Sequence, residues 1–181
     1  MAWTNPKTFT GGATLTAGEL NTYLRDNMNE TAPAAATTAG GLIGTDGANS
    51  ILQVTPVGDE ELAIEATTSA AYTDLTTPGP SVVVVTGTTA LVGIGMRASN
   101  GTAGNGSDMS FAVTGATTRA ARGEEAIRFD STTGSSQVEA GTTALVTGLT
   151  PGTNTFICKY RVIIGGTATF SARRIWVLPL G

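Results

Sequence analysis

Four carboxylates come closest, in type and spacing, to a catalytic pair. Glycoside hydrolysis needs two carboxyl groups roughly 5–10 Å apart, and the candidates in or beside predicted strands are Glu124, Glu125, Asp130 and Glu139. An enzyme acting on cell-wall glycan is therefore one hypothesis. Acidic residues are few, however, no aromatic platform accompanies them, and the GEE sequence at 123–125 is typical of a polar turn. We therefore expect that the protein is not an enzyme.

The chain contains no histidine and a single cysteine, which removes several other kinds of chemistry. Without an imidazole there can be no Ser-His-Asp or Cys-His arrangement and no histidine metal ligand. Cys158 lies in the alternating segment FICKYRV, where a small buried residue is expected. The acidic run at 59–61 has no further ligands close in sequence and indicates a solvated turn. We expect no cofactor and no metal.

Charge and hydropathy argue against two classes of partner. The net charge is −4 and the basic residues are scattered, whereas nucleic-acid binding needs clustered Lys and Arg. The longest aliphatic run, at 82–85, is far shorter than the ~20 residues of a membrane helix. The N-terminus lacks the basic and apolar regions of a signal peptide. We expect an unexported protein that binds neither nucleic acid nor membrane.

The elements that must position these side chains are predicted to be mainly strands. Charged residues make up only 13% of the chain, and Thr, Ser and Gly supply the missing polarity. Short strands separated by Gly/Pro turns predict an antiparallel β-sandwich of jelly-roll or Greek-key type at 70–181, after a spacer with short strands at 31–69. The predicted strands are 51–54, 62–66, 70–75, 81–87, 90–99, 109–115, 125–131, 137–149, 153–164 and 168–180.

Two strands show contrasting patterns. Strand 153–164 alternates regularly, which predicts a core face made of Phe156, Cys158, Tyr160, Val162 and Ile164. Strict alternation in strand 168–180 would place Phe170, Ala172, Arg174, Trp176 and Leu178 on one face, yet both of its faces become apolar at 175–178. A strand that is apolar on both faces is buried on both sides or lies at a subunit contact. We therefore predict an oligomer interface containing Val83, Val85, Ile175, Trp176 and Val177.

A short helix is predicted at 16–29, before the strands begin. Thr16 and Glu19 form a capping box, and Leu15 and Leu20 occupy the positions of a hydrophobic staple. The helical spacing of Leu20, Tyr23, Leu24 and Met28 gives one apolar stripe. A helix of this length is marginal by itself in water. It either folds back on its own domain or packs on copies of itself or on another protein, and the spacer after it favours the second alternative.

The N-terminal segment also has a distinctive pattern, W-T-N-P-K-T-F…G…L-T-A-x-E-L-N-x-Y-L-R-D-N. It is carried by Trp3, Pro6, Phe9, Gly11 or Gly12, Leu15, Thr16, Ala17, Leu20, Asn21, Leu24, Arg25, Asp26 and Asn27. This pattern resembles the N-terminal segment of structural proteins of tailed bacteriophages, of the minor tail, fibre or decoration type found in phages of actinobacteria. The C-terminal half, with GLTPGTNTF and GTATFSARRIWVLPL, more loosely resembles the β-sandwich domains at the ends of such proteins.

The resemblance implies a non-enzymatic virion protein made in the host cytoplasm, a trimer attached to other tail or capsid proteins. Residues 1–30 would then be the anchoring arm, with Trp3, Pro6, Phe9, Leu15, Leu20, Tyr23, Leu24 and Met28 in contact with the partner. No fibre shaft separates arm and β domain, so a short knob or decoration fits better than a long fibre. The alternatives are a capsid decoration or cement protein specifically, or a carbohydrate-binding module that contacts a host-surface glycan through loops 100–107 and 131–136.

Overall fold

The computed structural model describes residues 4, 7–29, 31, 36–47 and 50–180. The chain divides into two compact units, one formed by Pro56–Pro179 and one by Met1–Thr55 with Leu180–Gly181. Within the described ranges, no helix is long and apolar enough to cross a membrane.

The N-terminal unit contains the expected helix and one hairpin. The helix begins with α1 (Ala17–Leu20), continues through a π-helical segment (Asn21–Asp26) and ends with α2 (Asn27–Asn29). The hairpin pairs β1 (Leu42–Gly47) with β2 (Ser50–Val54) in antiparallel register. The sequence predicted β2 but not β1, because two glycines and an aspartate weaken the strand pattern of β1.

The second unit is a sandwich of two antiparallel sheets. The first sheet has the order β3-β11-β6-β9, with β4 also paired to β11, and the second has the order β5-β10-β7-β8. The strands are β3 (Val57–Glu61), β4 (Glu65–Thr67), β5 (Ser81–Thr86), β6 (Thr89–Asn100), β7 (Gly106–Gly115), β8 (Ile127–Asp130), β9 (Gln137–Thr147), β10 (Gly152–Ile163) and β11 (Ala168–Pro179).

The order of pairing identifies a jelly roll. Leaving aside the short β4, the first strand pairs with the last (β3 with β11) and the second with the last but one (β5 with β10). The inner strands nest in the same way, β6 with β9 and β7 with β8. This nested antiparallel pairing across two sheets is the jelly-roll arrangement, so the predicted fold class is confirmed.

The core lies between the two sheets. Its largest apolar side chains are Phe111, Phe156, Tyr160 and Phe170, all buried, and the rings of Tyr160 and Phe170 lie 4.9 Å apart between centroids. Cys158 is buried among them, as expected, and burial raises the pKa of its thiol.

The alternation predicted for strand 153–164 holds for four of its five core residues. Phe156, Cys158, Tyr160 and Val162 are buried. The prediction for Ile164 is wrong, because β10 ends at Ile163. Ile164 lies in the following turn, with a φ of 72° and an exposed side chain.

A bulge in β11 overturns the strict alternation expected there. The register with β6 shifts between Ser171 and Arg174, and Ala172 has a φ of 45. The extra residue reverses the facing of the strand, so Phe170 before the bulge and Ile175 after it both point into the core. It also directs Arg173 inward.

Arg173 is buried and its charge is compensated locally. Its Nη2 lies 3.5 Å from a carboxylate oxygen of Glu65, and its Nη1 donates to the carbonyl of Thr77. Burial by itself would raise the pKa of Glu65, but hydrogen bonds from Thr77, with the charge of Arg173, outweigh it and lower that pKa. The bulge therefore fixes the connection between β4 and β5 against β11 through a buried ion pair.

The sandwich begins earlier than expected. Residues 59–61, predicted as a solvated turn, belong to β3, where Glu60 pairs with Arg174 across the strands. The domain therefore starts near residue 57 rather than at 70, and the region 31–69 is not all spacer. Residues 70–75, predicted as a strand, form only an isolated bridge between Thr73 and Tyr160.

Candidate attachment segment and surface sites

The capping box at the start of the helix is confirmed. The backbone N–H of Glu19 donates to Thr16 Oγ1 at 3.2 Å, and the N–H of Thr16 donates to Glu19 Oε2 at 2.9 Å. Lys7 also donates to the Glu19 carboxylate, and this hydrogen bond, with those from Thr16, lowers the pKa of Glu19 to about 2. The carboxylate is thus held ionised beside the positive end of the helix dipole.

Asn27 connects the helix to the residues that precede it, a contact that the sequence did not reveal. Its Oδ1 accepts from the N–H of Thr4 at 2.9 Å, and its Nδ2 donates to the carbonyl of Thr4 at 2.9 Å. Asn27 is buried in a helix that is otherwise exposed or half-buried. This reciprocal pair joins the helix to a residue 23 positions earlier in the chain.

The apolar side chains predicted to contact a partner are mostly exposed. Leu20, Leu24 and Met28 are 43%, 56% and 61% exposed, and Tyr23 is half-buried. Phe9 and Leu15 are also exposed, whereas Trp3 and Pro6 lie outside the described residues. The wider π-helical turn alters the angular spacing of the stripe, and such turns occur often at functional sites.

An apolar patch lies on the outer face of the first sheet, and we call it the open patch. It consists of Trp176, Gly93, Leu91, Leu178 and Leu145. The pairing of β11, β6 and β9 places Leu178, Leu91 and Leu145 side by side in one row. Trp176 stands opposite Gly93 in the next row, and its indole fills the space that a Cβ at Gly93 would occupy. Trp176 and Leu145 are exposed.

Charged side chains border the open patch. Arg174 lies 3.1 Å from Glu60 and 3.2 Å from Glu139, and Arg97 lies 3.1 Å from the other oxygen of Glu139. A shallow recess of about 280 Å³ lies between them over Gly95 and Gly141. The glycines leave this part of the sheet without side chains, so the apolar row ends in a polar border.

The second sheet carries a very different group on its outer face, which we call the covered patch. It consists of Asp108, Arg161, Tyr72, Ser110 and Lys159. Asp108 is 2% exposed, and its Oδ2 accepts from Arg161 Nε at 2.8 Å and from the Tyr72 hydroxyl at 3.0 Å. The Arg161 guanidinium lies 4.3 Å from the centre of the Tyr72 ring. The connection between β4 and β5 thus covers this patch with Tyr72.

The predicted oligomer interface divides between core and surface. Ile175 and Val177 point into the core and are buried, because the bulge sets the facing of β11. Val83, Val85 and Trp176 are exposed, but the two valines lie on β5 of the second sheet and Trp176 lies on the first. The surface candidates are therefore two separate patches.

The four candidate catalytic carboxylates are spread over different elements. Glu125 is the last residue of the 3-10 turn Gly123–Glu125 and pairs with Arg119. Asp130 on β8 pairs with Arg128, and Glu139 on β9 belongs to the border of the open patch. Glu124 is exposed. Three of the four are thus held by arginine side chains.

The structure brings together the two loops predicted to contact glycan. The N–H of Gly104 donates to the carbonyl of Ser131, and that of Ser135 donates to the carbonyl of Asn100. The buried Asn100 side chain also donates to the carbonyls of Gly106 and Gly165 at 3.1 and 3.2 Å. Loops 100–107 and 131–136 therefore form one end of the sandwich, and neither contains a charged residue.

Comparison with known proteins identifies the fold but no family. No family model matches the chain, and no curated protein matches it. Among solved structures, it is similar to infectious bursal disease virus of the Gt strain (TM-score 0.52, 12% identity, 77% of this chain and 38% of that chain). It is also similar to the VP2 subviral particle of that virus (TM-score 0.51, 11% identity, 75% and 37%).

A third similarity is to Eiger TNF from S. frugiperda (TM-score 0.48, 12% identity, 71% of this chain and 93% of that chain). The chain spans well under half of the viral chains it resembles. At these identities the viral likenesses show a shared fold, which agrees with the nested strand pairing of the sandwich.

Proposed function

We propose that the protein is a non-enzymatic structural protein of a tailed-phage virion, attached by its N-terminal arm and projecting its β domain. The observation that carries the proposal is the capped helix, whose side chains Leu20, Leu24 and Met28 are exposed. A helix with a locally encoded start and an uncovered apolar stripe gains stability when a partner covers that stripe. Leu20 and Leu24 also belong to the pattern that resembles phage virion proteins.

The fold is compatible with this role. Jelly rolls are common building units of virus shells, and the viral structure of TM-score 0.52 is one example of the fold. We assign the protein to a short appendage, of the minor tail, fibre or head decoration type, and propose a trimer. Its partners would be copies of itself and other virion proteins.

Charge introduced into the stripe tests the arm. Leu24→Asp and Met28→Asp should prevent incorporation of the protein into particles, because a carboxylate cannot be buried in an apolar contact without a partner. The control is Thr22→Asp, which puts the same charge on an exposed position two residues from Leu24, a spacing that does not share a helix face. The measurement is the amount of protein that co-purifies with phage particles.

If the arm only attaches the protein, the β domain should fold without it. A chain lacking residues 1–30 should remain folded, since the core of the sandwich lies wholly within residues 75–177. Unfolding of that chain, or equal incorporation of the Leu24→Asp and Thr22→Asp proteins, would contradict attachment by the arm.

The trimer is tested on the two exposed patches separately. We place the contact on the open patch. Trp176 and Leu145 are large, exposed apolar side chains there, and they lie in neighbouring rows of the same face of the sheet. Trp176→Glu should convert the trimer to a monomer in a mass measurement, and Val83→Glu on the second sheet should not. The reverse result would assign the contact to β5, and a wild-type protein with monomer mass would refute the trimer.

A further inference from the structure

One basic side chain has no acidic partner among the residues that the structure describes. All ten Lys and Arg residues lie in the described part of the chain. Nine of them lie within 4.0 Å of a carboxylate oxygen. Among the described residues, Arg122 forms no such pair, and its side chain has no hydrogen-bond partner. Arg122 is exposed, so its guanidinium is free to hold an anion from solution.

Arg122 lines a pocket of about 340 Å³, which lies between the segment joining β7 to β8 and the edge strand β9. This volume is within the range of small-ligand sites. The polar side chains around it are those of Thr117, Thr118, Arg119, Arg122, Glu125 and Thr147. Leu145 of the open patch also lines it. The pocket therefore combines guanidinium groups with several hydroxyl groups and one apolar side chain.

The wall that carries these side chains is fixed by hydrogen bonds to buried polar residues. The N–H of Thr117 donates to Asn154 Oδ1 at 2.7 Å, and Ser110 Oγ donates to the carbonyl of Arg122 at 2.7 Å. Arg119 and Val113 exchange two backbone hydrogen bonds of 2.8 and 2.9 Å. Asn154 and Ser110 are fully buried. The position of the wall is thus set before any ligand binds, which lowers the entropic cost of binding.

The charges in the pocket favour an anion. Glu125 is paired with Arg119, so their charges offset one another, and Arg122 leaves a net positive charge. Arg119 Nε and Glu125 Oε2 are buried atoms without a hydrogen-bond partner, which shows that this pair is not fully satisfied by the chain itself. A guanidinium binds carboxylate or phosphate through paired hydrogen bonds.

We infer that this pocket binds a sugar unit that carries a carboxylate or phosphate group. Arg122 holds the acidic group, and the hydroxyls of Thr117, Thr118 and Thr147 exchange hydrogen bonds with the hydroxyls of the sugar. The loops 100–107 and 131–136, which the sequence singled out for glycan contact, contain no charged residue to hold an anion. The inference does not depend on the proposed place of the protein in a virion.

The test is a calorimetric titration of the full chain with four probes. Glucuronate and glucose 6-phosphate represent the two acidic groups, glucose is the matched neutral sugar, and inorganic phosphate is the charge without the sugar. We expect both acidic sugars, or one of them, to bind more tightly than glucose and inorganic phosphate. The affinity should fall with added salt, because a charge contact is screened.

Two arginine variants locate the site. Arg122→Gln should weaken binding of the acidic sugar by about tenfold or more, because it removes a charge-assisted hydrogen bond. Arg128→Gln is the control, since Arg128 is an exposed arginine outside the pocket that is paired with Asp130. Three results would overturn the inference: glucose binds as tightly as the acidic sugars, none of the probes binds, or the two variants weaken binding equally. If inorganic phosphate binds as tightly as glucose 6-phosphate, the pocket does not recognise the sugar part of the ligand.

Discussion

The covered patch and the open patch lie on the outer faces of the two sheets, and different strands with the same kind of alternation build them. On the covered patch, Oδ2 of the buried Asp108 accepts from Arg161 and from Tyr72, and a connection of the chain closes over them. The Oδ1 of Asp108 is buried without a hydrogen-bond partner among the described residues. On the open patch, Trp176 lies on Gly93, and Leu145 in the neighbouring row is 59% exposed. The covered patch is closed over by its own chain, whereas the open patch is left as exposed apolar surface.

The difference shows how each face obtains its stability. The covered patch depends on a carboxylate that has lost almost all of its hydration, so Asp108, Arg161 and Tyr72 need one another. The open patch depends on contact area alone, and its members can be changed without leaving a buried charge unpaired. Substitutions on the covered patch should therefore affect folding, and those on the open patch should affect association.

The largest effect is expected at Asp108. Asp108→Ala leaves Arg161 and the Tyr72 hydroxyl without their shared acceptor, so the free energy of unfolding should fall by about 2–4 kcal/mol. Asp130→Ala removes a carboxylate from the same sheet, but its partner Arg128 is exposed, and the expected change is within about 0.5 kcal/mol. Urea unfolding of both proteins measures the two values. If both variants lose the same free energy of unfolding, the buried contacts of Asp108 stabilise the protein no more than an exposed ion pair does.

A pair of glycines tests the open patch with a smaller expected effect. A Cβ at Gly93 would overlap the indole of Trp176, whereas one at Gly95 would lie 3.7 Å from the carbonyl of Ala140, an ordinary contact. Gly93→Ala should therefore displace the indole and cost about 1–2 kcal/mol, and Gly95→Ala should be nearly neutral. Neither glycine has a positive φ, so backbone strain does not enter the comparison.

Tryptophan fluorescence reports the displacement directly. In a protein that carries Trp3→Phe, the emission comes from Trp176 alone, and Gly93→Ala should shift it to longer wavelength as the ring becomes more hydrated. Unchanged emission in Gly93→Ala would mean that Trp176 does not rest on β6. The same two variants measured by mass would show whether the position of the indole also controls association.

Local features of this structure could be predicted from the sequence, and contacts between distant residues could not. The helix start was predictable because the capping box joins residues only three positions apart. The core face of β10 followed from its alternation. Three features leave no periodic signal in the sequence: the bulge at Ala172, the hydrogen bond from Tyr72 to Asp108, and the hydrogen bonds between Asn27 and Thr4. The pocket at Arg122 was missed for the same reason, since its walls come from two separate segments.

The smallest expected effect is a pH dependence that only the covered patch should show. Burial, followed by the negative charge of Asp108, raises the pKa of the Tyr72 hydroxyl above its ordinary value of 10.0. The folded protein therefore keeps this proton at a pH where the unfolded chain releases it. Stability is fully present below pH 10 and is lost as the pH rises above it, by about 1 kcal/mol or less at pH 10.5 for this one group.

Tyr72→Phe separates this contribution from that of the core. The variant should be less stable than the wild type at pH 8, since it lacks the hydrogen bond to Asp108, but it should lose less stability between pH 8 and pH 10.5. Tyr160, whose pKa is also raised by burial, titrates equally in both proteins and so cancels in the comparison. Trp176→Phe on the open patch should keep the wild-type pH dependence, because no phenol is removed. If Tyr72→Phe and the wild type lose equal stability over this range, Tyr72 is not desolvated, and the contrast between the two patches would rest on Asp108 and Arg161 alone.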